Sequence, residues 1–257
     1  MRRFLPIVII VVLGLALIVG SVWFFTRSKE KVTPGGGTSG QKAKTQEQVK
    51  ELSIEERPFV SLTPRADGHE FHLTITSIPK GVENVEYELV YKVASGVTQG
   101  VPGTVKLSGK TSIERDLLLG TCSSGKCRYD EGVTQGTFTV RLRDKDGKLI
   151  TKLETDFHLQ QDGKGLISSD GKFAISSSSL GKSTFYLTMN TFGLPGKAPG
   201  KVVAGPYGTF TKGAAKVSGT VTLDGSGTLY SWNGSKWVML DSGTTSSLST
   251  FIRIASE

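Results

Sequence analysis

The 257-residue chain is poor in the side chains that most often carry chemistry: it has two cysteines, three histidines and three methionines. The histidines, His69, His72 and His158, show no zinc-ligand spacing, and no Ser-His-Asp arrangement stands out in the order of residues. No metal, no cofactor and no catalytic residue is therefore expected. Basic and aromatic residues are nowhere interleaved as on a nucleic-acid surface, so nucleic acid is not an expected partner either. The net charge of +8 is not a patch: residues 1–57 hold nine basic against five acidic residues, 58–160 thirteen against thirteen, and 161–257 nine against five. Half of the excess flanks an N-terminal apolar run, and the rest is scattered as single lysines at turns.

That run, residues 4–25, reads FLPIVIIVVLGLALIVGSVWFF and contains no charge. At about 1.5 Å per residue a helix of this length crosses a hydrocarbon core of about 30 Å. Arg2 and Arg3 precede it, Arg27, Lys29 and Lys31 follow, and Trp23, Phe24 and Phe25 stand at its far boundary, where aromatic rings favour the interface. A cleaved signal peptide would have a shorter run ending in small residues. The bulky exit points to an uncleaved signal anchor over residues 1–31, with the lipid bilayer as partner through residues 4–25. The flanking charges leave its orientation open. Residues 32–57 then read as a stalk, with the flexible TPGGGTSG followed by a charged, partly helical QKAKTQEQVKELSIEER. Pro58 stops any helix there.

Beyond Pro58 apolar residues recur with period two. Phe71, Leu73 and Ile75 alternate with polar neighbours, as do Tyr87, Leu89, Tyr91 and Val93, and later Phe138, Val140 and Leu142. Each pattern is a strand with one buried and one wet face. Further strands are expected at 59–62, 104–107, 114–119 and 149–159. A turn-rich DGKGLISSDGK near residue 160 marks a shift in composition. After it come strands at 172–176, 183–189, 201–204, 217–223, 228–232, 236–240 and 249–254. The expected fold class is all-β: two consecutive antiparallel β-sandwich domains, 58–160 and 161–257, after a transmembrane helix and flexible stalk.

The runs FHLTITSIPKGVENVEYELVYKV and FTVRLRDKDGKLITKLETDFHL resemble the early and final strand pairs of immunoglobulin-like and fibronectin type III-like domains of bacterial membrane-anchored surface proteins. The resemblance covers about two fifths of the chain and lacks the core tryptophan of the third strand. The stretch GPYGTFTKGAAKVSGTVTLDGSGTLYSWNGSKWVML is weakly similar to ZU5-like sandwiches. These resemblances imply a fold and a role in adhesion or spacing.

Two stretches remain as candidate sites. Cys122 and Cys127 enclose Ser-Ser-Gly-Lys, a spacing that suits a tight turn closed by a cross-strand disulfide. A redox pair would have C-x2-C at a helix start, and zinc would need two more ligands. In LYSWNGSKWVML, a four-residue loop at Asn233-Gly234 sets Trp232 opposite Trp237, so Tyr230, Trp232 and Trp237 are candidate contacts for a protein or glycan partner. A cross-strand aromatic pair that merely stabilises the hairpin is the plainer account. The DKDG of residues 144–147 reads as a hairpin turn, because a calcium loop would need a terminal glutamate where a strand begins.

These features lead to a non-catalytic, single-pass envelope protein whose β domains face outward and act in binding, spacing or assembly at the cell surface. The disulfide, which persists outside the reducing cytosol, favours that orientation. An envelope enzyme using a carboxylate pair on carbohydrate, and an accessory subunit of a membrane complex, are the alternatives.

Overall fold

Alternation becomes burial along the strands that showed it. In a computed structural model describing residues 51–161, 163–213 and 216–256, Phe71, Leu73 and Ile75 lie inside while His72 and Thr74 face out. The apolar run and most of the stalk lie outside the described residues, and among the described residues no helix is long and apolar enough to cross a membrane.

The first half contributes β1 (Phe59–Pro64), β2 (Glu70–Thr76), β3 (Asn84–Lys92), β4 (Thr98–Lys106), β5 (Ile113–Leu118), β6 (Gly120–Ser123), β7 (Lys126–Tyr129), β8 (Gln135–Arg143) and β9 (Leu149–Gln160). The second half contributes β10 (Gly165–Ile167), β11 (Phe173–Ser176), β12 (Tyr186–Asn190), β13 (Val202–Phe210) and β14 (Lys216–Leu223). It ends with β15 (Thr228–Trp232), β16 (Trp237–Met239), β17 (Thr244–Ser247) and β18 (Thr250–Ile254). The fold is all-β, and every strand pairing is antiparallel.

One sheet of nine strands, in the order β16-β15-β18-β13-β12-β9-β8-β3-β4, runs through both halves. The boundary expected at residue 160 falls inside it, where β9 pairs with β12 in the register Phe157↔Met189 and Leu159↔Leu187. All described residues belong to one unit. The smaller sheets, β1-β2-β5 and β10-β11-β14-β17, cover this platform from opposite sides.

Alternation proves the opposite coverage. On β12, Leu187 and Met189 join the first core with Phe71, Phe138 and Phe157. Tyr186, of opposite phase, joins the second core with Phe173, Tyr207 and Phe251. Neighbouring residues of a strand point to opposite faces, so β12 is buried on both. Each large side chain so enclosed contributes about 1.5–3 kcal/mol of burial. Over β9, β8 and β3 the face turned away from β1-β2-β5 carries no second sheet among the described residues. It is polar, with Glu86 and Glu88 paired to Arg143 and Arg141.

Three local features complete the frame. β13 extends past the expected Ala204 to Phe210, because the strand absorbs Gly205-Pro206 as a register shift between Ala204 and Tyr207 and then resumes pairing with β18. The edge of β10 is closed by side chains from β9: His158 Nδ1 and Gln160 Nε2 bond Ile167 O, and Ile167 N donates to Gln160 Oε1. Within the segment read as stalk, Leu52 is buried and Ile54 packs against the cluster of Leu194, Trp237, Ile252 and Ile254, so packing already begins before Pro58.

Candidate functional site

The open half of the nine-stranded sheet ends against a step, where the β10–β11 turn overhangs β9. Twelve residues long, β9 buries Leu153, Thr155, Phe157 and Leu159 and leaves Lys152, Glu154, Asp156 and His158 on the outer face. At the foot of the step lies a hollow of about 380 Å³, lined by Glu154 and Asp156 from β9, Asn190 from β12, Tyr207 from β13, and Asp170 and Lys172 from the turn. Two neighbouring hollows extend it. One of about 360 Å³ shares Asp156 and Ser169 and reaches Lys92 and Thr98; the other, of about 400 Å³, shares Glu154 and Asn190 and reaches Arg57. Together they make a groove across the open face, polar at its central hollow.

The carboxylates of the central hollow are fixed by donors. Asp170 accepts hydrogen bonds from Ser168 Oγ at 2.6 Å, from the backbone N–H of Lys172 at 3.2 Å and from the Tyr207 hydroxyl. Ser168 is itself held by the Phe173 N–H at 3.1 Å, which ties the turn to the second core. Partial burial pushes the Asp170 carboxyl up, but the bonds from Ser168, Tyr207 and Lys172, with the Lys172 charge, outweigh it and hold Asp170 below its ordinary range. Burial and the bond to Asp170 push the Tyr207 hydroxyl up, so it stays a neutral donor. Glu154 is held down chiefly by Lys152, 2.7 Å away, against some burial, with further help from Thr139 and Arg141. Asp156 accepts from Thr137 Oγ1 at 2.9 Å.

Two of the three carboxyls in this hollow are thus biased toward the ionised form. The arrangement offers fixed acceptors, hydroxyl and amide donors, and a lysine, along an open strand face.

The residues singled out in the sequence lie elsewhere. Trp232 and Trp237 pair directly across the β15–β16 hairpin, their rings edge to face at 5.4 Å. Trp237 is buried and its Nε1–H donates to Gly196 O at 3.1 Å. Trp232 is half-buried over Gly196, where a Cβ would come within 2.4 Å of the indole. Tyr230 packs against the same cluster, whose buried members are Leu194, Trp237, Ile252 and Ile254. Cys122 and Cys127 form a disulfide at the exposed β6–β7 hairpin, whose Ser124-Gly125 turn has both residues at positive φ, 51° and 78°. His72 faces outward beside Asp116, at 2.8 Å. Asp144 closes the 144–147 turn by accepting from the N–H of Asp146 and of Lys148, each at 2.9 Å, with Gly147 at φ 77°. Among the described residues no group of three or more His, Cys, Asp or Glu side chains is arranged to hold a metal.

The groove residues Glu154, Asp156, Asp170, Asn190 and Tyr207 were not singled out in the sequence. One signal was present: Glu154 and Asp156 share the wet phase of the longest strand, where a plain solvent face does not require two acids in succession. No protein-family model, no curated protein and no solved structure matches the chain.

Proposed function

We propose that the chain is an envelope protein, anchored by residues 4–25 and facing outward, that works by recognition rather than catalysis. The open face of its nine-stranded sheet is the contact surface. The observation that carries this reading is the groove over β9, with Asp170 held as an ionised acceptor by three donors. The occupant is an extended polar chain, a glycan or a protein strand, laid across β3, β8, β9 and β12. The apolar run of residues 4–25 supports the anchor, and the exposed disulfide supports the outward orientation. The Trp232–Trp237 pair serves the hairpin, since its buried member already spends its donor on Gly196.

The test is a glycan array and a peptide library, both probed with the full chain in detergent and with an Asp156→Ala/Asp170→Asn variant. A signal given by the wild type and lost in the variant supports the reading. Binding that survives in the variant, or that is lost only on Trp232→Ala, refutes it.

A further inference from the structure

We propose that the groove of one copy receives the β6–β7 hairpin of a second copy of this chain. This rests on the open face being a recognition surface, and it names the partner.

The hairpin is built as a projecting, rigid probe. It forms a two-stranded sheet hydrogen-bonded to no other, and residues 121–129 are exposed throughout. The Cys122–Cys127 bond and the tight turn fix its tip. At its base Tyr129 stacks on His69 with ring centroids 4.6 Å apart, and the Tyr91 hydroxyl donates to Asp130 at 2.9 Å. In the hairpin register, Tyr129 shares a face with the cysteines, while Lys126 and Arg128 share the opposite one. The tyrosine is turned to the body, so the two cations are turned away from it. Neither makes an ion pair among the described residues.

The groove presents acids that match, among cations of its own at Arg57, Lys92, Lys152 and Lys172. Asp156 is held by the Thr137 hydroxyl, and Asp170 by the hydroxyls of Ser168 and Tyr207. The hydroxyls orient Asp156 and Asp170 without neutralising them, while Lys172 stands beside Asp170 and Glu154 shares its charge with Lys152 at 2.7 Å, a pair that Arg128 would have to join or displace. Glu154 and Asp156, two residues apart on one face of β9, are spaced about 6.8 Å along the strand, as are Lys126 and Arg128 on β7. An antiparallel alignment of β7 over β9 sets Lys126 against Asp156 and Arg128 against Glu154. Hairpin and groove are different surfaces, so the contact is heterologous and propagates head to tail.

Sedimentation of the full chain in detergent, at low and high salt, tests this. Wild type should associate with concentration and dissociate with salt. The Lys126→Glu/Arg128→Glu and Glu154→Lys/Asp156→Lys variants should each associate at least about tenfold more weakly. An equimolar mixture of the two should regain association, because each reversed surface then finds its reversed partner; this shows that loss in the single variants is not misfolding. Wild type that stays monomeric, reversed variants that associate like wild type, or a mixture that stays monomeric would each overturn the proposal. If self-association is absent while the arrays give binding that needs Asp156 and Asp170, the recognition surface stands and the second copy is the wrong partner.

Discussion

Tyr207 on β13 donates its hydroxyl proton to the carboxylate of Asp170 in the β10–β11 turn, and so fastens the wall of the groove to its floor. The same ring stacks on Phe173 at 5.4 Å, within the second core. Groove and core are therefore one construction. Tyr207→Phe keeps the packing and removes the donor, and should cost about 1.5–3 kcal/mol, the range for a hydrogen bond to a charged group. Urea denaturation of the variant measures it. A cost near zero would mean that the turn is held without this bond.

Asp170 also predicts a pH dependence. Its folded carboxyl is held below the ordinary value, so its stabilisation is complete above the unfolded value of about 3.9 and is lost as pH falls through the lower folded one. Asp170→Asn should flatten that part of the acid limb and leave the profile above it parallel to wild type. Urea midpoints taken across the acid range show whether it does; an unchanged acid limb would count against the network.

The Trp hairpin separates packing from contact. Trp237→Ala should destabilise by about 3–5 kcal/mol, as for other buried large aromatics, and half-buried Trp232→Ala by less. Equal, small losses in thermal or urea unfolding would instead mark both rings as surface groups.

The shared sheet predicts that the two halves unfold together. Phe157 lies in the first core, beside Met189 across the β9–β12 seam, whereas Trp232 and Trp237 report from the far end of the sheet. Phe157→Ala should lower the Trp-reported midpoint in a single transition, with a loss of about 3–5 kcal/mol in unfolding free energy. A Trp signal that stays at the wild-type midpoint would mean two independent domains.

Much of this was legible because period two reports burial directly. The inner faces of β2, β3, β8 and β9 can be read one residue at a time, and so can the Trp232↔Trp237 register, which a four-residue loop dictates. Alternation says which residues are inside, though not which strand lies next door. β12, Tyr-Leu-Thr-Met-Asn, shows no clean alternation because both of its faces are covered, and that is the place where the halves join. β10 and β17 are short edge strands, Gly-Leu-Ile and Thr-Thr-Ser-Ser, with too few apolar residues to show a pattern. The groove stayed hidden for the same reason: its residues come from β9, β12, β13 and a turn, and only the sheet order brings them together.

The disulfide should act locally. The β6–β7 hairpin belongs to no larger sheet, so opening its short loop, worth about 2 kcal/mol by chain entropy, frees the hairpin before the body. Reduction should speed tryptic cleavage after Lys126 and Arg128 while the urea midpoint stays put. A large fall in that midpoint would show that the hairpin braces the core.

If the open face is a contact surface, it is occupied where the protein works. Intact cells and purified chain can be compared by carboxyl labelling with a membrane-impermeant carbodiimide. Asp146, exposed in the β8–β9 turn and outside the lining of the three hollows, serves as the reference. This turn should label equally in both, while Glu154, Asp156 and Asp170 label in the purified, dilute chain and are protected in cells. Groove carboxylates that label in cells as fully as the turn, or a turn that does not label in cells at all, would contradict it.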